Sequence, residues 1–128
     1  MKFIDTNYFL RFFLKDNLNQ YQIASDLFTK ASLGQEELFT DSIVIFEIYW
    51  VLKSYYGVKH LFVKQTLNQI CHFDFVYIEE RQILLDAINN FAKFNYDLED
   101  AYNFYYAQSK KVDKIASFDK KLIKNFKN

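Results

Sequence analysis

An α/β domain built on a mostly parallel sheet is the fold class this sequence predicts, and three features predict it. Short β-prone runs recur along the chain, each only a few residues long. Long segments with apolar residues at helical spacing separate them. Strands so separated need crossover connections, and crossovers place helices on both faces of a mostly parallel sheet. The 128 residues suit one domain, residues 1–128, and 51% of them are hydrophobic and 20% aromatic. That is enough material for a sizeable core and argues against disorder.

Taken in order, Lys2–Asp5 is expected as a short buried strand, followed by a helical turn through "YFLRFFL". "NQYQIASDLFTKAS" places Ile23, Ala24, Leu27, Phe28 and Ala31 on one face and stops at Gly34, where glycine suits a helix C-terminus. "ELFT" is a second strand. Asp41 or Ser42 can N-cap the helix "SIVIFEIYWVLKSYY", which ends at Gly57. A helix over 58–73 follows, with Leu61, Thr66, Leu67 and Ile70 facing inward. "FVYI" is a third strand, and residues 79–93 form a helix with Ile83, Leu84, Ala87, Ile88 and Phe91 on one side. Asp97 can cap a helix through "LEDAYNFYYAQSK"; "KIASF" is a fourth strand and "DKKLIKNF" a short closing helix. No linker, repeat or low-complexity tract interrupts this order.

Sixteen basic residues balance sixteen acidic ones, so net charge selects no partner. The lysines are unevenly spread: Lys110, Lys111, Lys114, Lys120, Lys121, Lys124 and Lys127 crowd one end, opposed there by Asp113 and Asp119. Such a surface can meet a polyanion, or serve only as a solvated helix face. Cys71 is alone, which excludes an intramolecular disulfide and a cysteine metal cluster. No signal-peptide pattern or membrane-length apolar run is present, so a cytoplasmic protein with no membrane partner is expected.

Acids at strand ends are the informative residues, because ligands of parallel sheets gather beyond the C-terminal ends of the strands. Asp5 follows "KFI" and Asp119 follows "IASF". Glu47 shares its helical neighbourhood with Ile43, Phe46, Trp50, Val51 and Ser54, an apolar stripe in which an unpaired carboxylate is costly to bury. Asp100 shares a side with Asn103, Phe104 and Ala107. Each acid has a plain structural role available: turn former, N-cap, dipole partner, exposed outlier. Together they suggest oxygen ligands for Mg²⁺ or Mn²⁺, whereas His60 and His72 lie apart and zinc is disfavoured. Such a metal supports hydrolysis of a phosphodiester, in a nuclease or phosphatase. A haloacid-type phosphatase would want an acid where Asn7 stands, and a phospho-acceptor domain would want adjacent acids near the first strand.

The blocks "FIDTNYFLRFFLKDN", "FEIYWVLKSYYG" and "YDLEDAYNFYYAQSKKVDKIASFD" resemble the PIN-domain ribonucleases, in particular the VapC-type toxins of toxin–antitoxin pairs. The resemblance implies a three-layer α/β/α sandwich with four or five short strands. It also implies a Mg²⁺- or Mn²⁺-dependent endoribonuclease, with RNA as substrate, a cognate antitoxin as partner and a second copy of the chain as a further one. It makes Asp5, Glu47, Asp100 and Asp119 the catalytic and metal-binding acids, with Thr6, Asn7 and Ser117 in support. Ser117 stands where Thr is common, and Asp97 and Glu99 compete with Asp100 for the third position. The fifth strand of many relatives has little room after Asp119. Arg11, Lys120 and Lys121 are candidates for the RNA backbone, Arg11 equally for a structural salt bridge or an antitoxin contact. No side chain offers a covalent nucleophile with an adjacent base, so direct hydrolysis is expected. The rival readings are a catalytically inactive PIN-fold module that binds RNA or protein, and a Mg²⁺-dependent phosphatase. Phe12, Phe13, Tyr49, Trp50, Tyr55 and Tyr56 either fill the core or form a groove for an antitoxin helix.

Overall fold

Three short strands lie side by side in parallel, joined by helical crossovers: β1 (Lys2–Phe3), β2 (Leu38–Thr40) and β3 (Val76–Ile78), in that order. Lys2 faces Leu38 and Phe3 faces Phe39; Leu38, Phe39 and Thr40 face Val76, Tyr77 and Ile78. The computed structural model describes residues 1–57 and 59–126; the expected helix start at Val58, Lys127 of the lysine cluster and Asn128 lie outside the described residues. The chain divides into two compact units, Met1–Arg81 and Gln82–Asn128. Among the described residues no helix is long and apolar enough to cross a membrane.

The α/β class with a parallel sheet is as expected, but among the described residues the sheet has three strands, not four or five. "KIASF" forms no strand. Its side chains do alternate, Ile115 and Ser117 half-buried against exposed Lys114, Ala116 and Phe118. Alternation is a property of one segment, whereas a strand needs a partner ladder, and none pairs with it. The first strand is also shorter and less buried than expected. Lys2 and Phe3 are exposed at the sheet's edge and only Ile4, just beyond them, is buried.

In the first unit the helices are α1 (Thr6–Leu14), α2 (Leu18–Ser32), α3 (Ser42–Ser54) and α4 (His60–Cys71). The Asn17 side chain accepts from the Gln20 amide and Asp41 from the Val44 amide, so α2 and α3 begin on side-chain caps. After α2, Gln35 N–H donates to Lys30 O and Gly34 N–H to Ala31 O, with Gly34 at φ +78. This paired closure needs a left-handed residue, which is why glycine stands there. Ala24, Phe28, Ala31, Thr66, Leu67 and Ile70 are buried as the spacing predicts, but Ile23 and Leu61 face water. Phe9, Phe12, Phe13, Phe28, Phe73 and Phe75 form a ring cluster, with centroids 5.6 Å apart for Phe9–Phe28 and 4.8 Å for Phe73–Phe75. Tyr49 is therefore core, Phe12 and Phe13 are half-buried in the ring cluster, and Trp50, Tyr55 and Tyr56 are exposed.

Arg81 closes this unit by donating to the carbonyls of Cys71, Phe73 and Val76, locking the turn that feeds β3. Arg11 meets Asp16 at 2.9 Å and its guanidinium also reaches the Tyr56 hydroxyl, which donates to Asp16 at 3.1 Å. The clamp ties α1 to the loop before α2 and to the end of α3.

The second unit holds α5 (Arg81–Asn90, its first residue in the first unit), α6 (Leu98–Ser109) and α7 (Lys120–Phe126). Leu84, Ala87, Ile88, Phe91, Leu98, Ala101, Phe104 and Leu122 are buried. Asn125 donates to the Tyr96 hydroxyl at 2.8 Å and Lys121 to the Asn95 carbonyl at 2.9 Å, which seats α7 against the turn before α6.

Burial pushes the Cys71 thiol up to about 12, with Arg81 opposing weakly. A buried thiol that stays protonated should react with a disulfide reagent at pH 8 at least roughly 100-fold more slowly in the native chain than in urea. Stopped-flow thiol titration measures this. Asp16 sits below its ordinary 3.8: desolvation pushes it up, but hydrogen bonds from Tyr56 and then Arg11 outweigh that. A depressed folded-state value gives stability that is complete above 3.8 and fades as pH falls below it. Thermal melts between pH 6 and 2.5 should show Asp16→Asn less sensitive to acid than the wild type.

Candidate active site

Asp5 occupies the N-cap position of α1 in extended geometry, φ −86 and ψ 167, yet its side chain makes no capping bond. Its backbone is held instead. Ile4 N–H donates to Phe39 O at 2.8 Å, Tyr8 N–H to Asp5 O at 3.2 Å, and the buried Thr40 hydroxyl donates to Ile4 O at 2.9 Å. The exposed Asp5 carboxylate thus stands at the C-terminal end of β1 with no part in the turn that fixes it. Sequence reasoning missed Thr40; the signal was a hydroxyl closing "ELFT" in an otherwise apolar strand.

Thr6 is 4% exposed and its hydroxyl donates to Glu47 Oε1, which ties α1 to α3. Glu47 itself is exposed, the alternative to a carboxylate set among buried apolar residues that the sequence left open. Ile43, 72% exposed, Trp50 and Ser54 share the open side of α3, while Val44, Ile45, Ile48, Tyr49 and Leu52 form the core side. Asn7 is exposed and lines a cleft of about 270 Å³ with Tyr8, Arg11, Gln20 and Ile23. Arg11, in its clamp with Asp16 and Tyr56, takes the structural salt-bridge option.

In the second unit a cleft of about 440 Å³ is lined by Asp100, Asn103, Lys114, Ser117 and Asp119. Asp100 and Asn103 lie one turn apart on the first half of α6, so they face the same way. Asp97 occupies the N-cap of α6 without a side-chain capping bond, and neither it nor Glu99 lines this cleft. The Ser117 hydroxyl accepts from Asp119 N–H at 3.0 Å. Asp119 Oδ1 accepts from the amides of Lys121 and Leu122 at 3.0 and 3.2 Å, so Asp119 does cap α7. Capping occupies one oxygen and leaves Oδ2 for another use. Lys120 is exposed; Lys121 is engaged with Asn95 O and lies 5.4 Å over the Tyr96 ring.

Among the described residues no three His, Cys, Asp or Glu side chains form a group that could hold a metal ion. Each unit presents two of the expected acids. Their donors are all oxygen, joined by the Asn103 amide in the second cleft. Such a set fits Mg²⁺ or Mn²⁺, since Mg²⁺ is commonly held by one or two carboxylates plus water and substrate phosphates. It does not fit zinc. His60 and His72 are both exposed, and the His72 ring contacts its own helix at Asn68 O.

The fold is thus an α/β domain that presents acids beyond a parallel strand in one unit and around a cleft in the other, where oxygen ligands can meet a phosphate ester. The family model for the PIN domain matches residues 2–127, and the chain belongs to the PIN domain family. PIN domains are generally nucleases and typically bind divalent metal ions. No curated protein and no solved structure matches this chain significantly.

The double use of Asp119 can be separated by substitution. Asn caps a helix about as well as Asp, whereas Ala does not. In urea titrations Asp119→Ala should lose about 0.5–2 kcal/mol and Asp119→Asn should remain within about 0.5 kcal/mol of wild type.

Proposed function

We propose that the chain is a Mg²⁺- or Mn²⁺-dependent endoribonuclease in which Asp5, Glu47, Asp100 and Asp119 hold the metal and carry the chemistry. The observation that carries this reading is the PIN match over residues 2–127, which spans both pairs of acids. It also supports treating residues 1–128 as one functional domain. The Asp5 carboxylate, exposed and excused from the cap its position offers, adds independent support.

When bound, the ion supplies Lewis-acid stabilisation of charge on the phosphodiester oxygens and eases deprotonation of water. The chain's own residues do the rest. One carboxylate takes the proton of the attacking water. Thr6 orients Glu47, and Ser117 with the α7 cap orients Asp119. Thr6 does have a carboxylate acceptor, but its hydroxyl is buried, so it is a positioning group and not a nucleophile. Lys120 and Lys114 offer positive charge to the RNA backbone.

The finer assignment, a VapC-type toxin silenced by an antitoxin, is supported by the three sequence blocks. It is supported further by exposed Tyr55, Tyr56, Leu61 and Phe62 at the end of α3 and the start of α4, which an amphipathic partner helix would cover. A homodimer and a cytoplasmic location belong to the same reading.

Wild type and Asp5→Asn, purified in parallel, test the nuclease. The wild type with Mn²⁺ should cut RNA in a broad transcript pool, stop on chelation, and exceed the variant by at least about 100-fold, the lower range for a lost acid–base group. No cleavage by the wild type, or equal cleavage by both, leaves the inactive-module reading. Turnover of an aryl phosphate without RNA cleavage favours the phosphatase.

A further inference from the structure

Phe118 has no place in the chemistry above, and its exposure is extreme. Its relative accessibility is 104%, against 84% for Tyr55, so the ring stands wholly in water. Its backbone is nevertheless fixed on both sides. Ser117 accepts from Asp119 N–H at 3.0 Å, and Asp119 Oδ1 accepts from Lys121 N–H and Leu122 N–H. The ring is therefore presented by an anchored segment, and little ordering cost remains for a ligand that covers it. Ser117 and Asp119, the residues either side, both line the cleft that holds Asp100.

We propose that Phe118 is a stacking platform that holds a nucleobase beside Asp119. The proposal rests on the nuclease reading and adds to it a residue that holds the substrate. A π face accepts any base, and stacking on an aromatic side chain is the sequence-tolerant way to hold a single strand. A base inside a duplex has both faces covered. The surroundings favour a nucleic acid over a protein. Lys114 and Lys120 are exposed nearby in the chain, and the adjacent exposed side chains are Ala116 and Asp119. Along residues 114–120 Phe118 is the one exposed large apolar side chain, with charged residues on either side in the chain, whereas the centre of a protein interface is a contiguous apolar area depleted in charge.

The test uses Phe118→Trp, Phe118→Leu and Phe118→Ala in the full chain with chelator present, so that nothing is cleaved. Indole emission of the Trp variant, read against wild type to subtract Trp50, should be quenched by a single-stranded octaribonucleotide and not by its duplex. Phe118→Ala should bind the single strand roughly 5- to 150-fold more weakly, and Phe118→Leu nearly as weakly, because Leu restores apolar area without a π face. Binding of the alanine variant within twofold of wild type, or equal quenching by duplex, overturns the proposal. A change of oligomeric state in sedimentation with RNA affinity unaltered assigns the ring to a protein interface and overturns it too. Because quenching is read without turnover, a wild type that binds but never cuts defeats the nuclease reading while leaving the stacking result standing.

Discussion

The end of β1 is the constraint on which the first half of the candidate site depends. Two residues of edge strand are too few to hold a position by themselves. Their register is fixed from the central strand, through Ile4 N–H on Phe39 O and the Thr40 hydroxyl on Ile4 O. Ile4 is buried and Asp5 is exposed. A slip of one residue would exchange them, placing a carboxylate in the core and an isoleucine in water. The same junction starts α1, whose first residue reaches across to Glu47. Placement of Asp5, burial of Thr6 and orientation of Glu47 are thus consequences of one clamp.

The chain treats its helix starts unequally, and Asp5 and Asp97 are the acids that stand at an N-cap without a side-chain capping bond. Asn17 and Asp41 cap α2 and α3 with their side chains, as those residue types usually do. Asp119 caps α7 and keeps one oxygen uncommitted. Asp5 stands at an N-cap and makes no capping bond. A local stabilisation available at that position is forgone, and departures of this kind are expected where a residue serves function. Ser117 extends the pattern, since its hydroxyl supports the backbone of Asp119 and not its carboxylate.

Much of this was legible in the sequence, and the failures have physical causes. Helix order, the stop at Gly34, the Asp41 cap and the two later strands follow from spacing and turn chemistry. The sequence left Glu47 open between an apolar stripe and an exposed position because α3 is apolar nearly all round: Ile43 and Trp50 on its open side look no different from Ile45 and Ile48 on its core side. Periodicity cannot rank two apolar faces of one helix. "KIASF" failed as a strand because pairing is a tertiary property. Arg11 had three readings, an RNA contact, an antitoxin contact and a structural salt bridge, and its contacts with Asp16 and Tyr56 show the last of these. The four acids could be picked out as unusual from their positions, but the pairing of Thr6 with Glu47 and of Ser117 with Asp119 could not.

The aromatic excess has the same kind of answer. Phe9, Phe12, Phe13, Phe28, Phe73 and Phe75 pack ring against ring within the first unit, and Phe94, Phe104 and Phe126 do so within the second. Each unit therefore carries its own aromatic core, with edge and offset contacts of the kind rings prefer. Most phenylalanines need no further role once those cores are drawn. Against that background an exposed phenylalanine is informative only where the backbone around it is fixed and the neighbouring chemistry is polar. Phe3 does not meet this condition, because its ring lies edge-on to Phe39 at 5.3 Å and finishes the edge of the sheet. Phe118 meets both conditions, which makes its exposure a feature of the surface next to Asp119 and not a remnant of an overfull core.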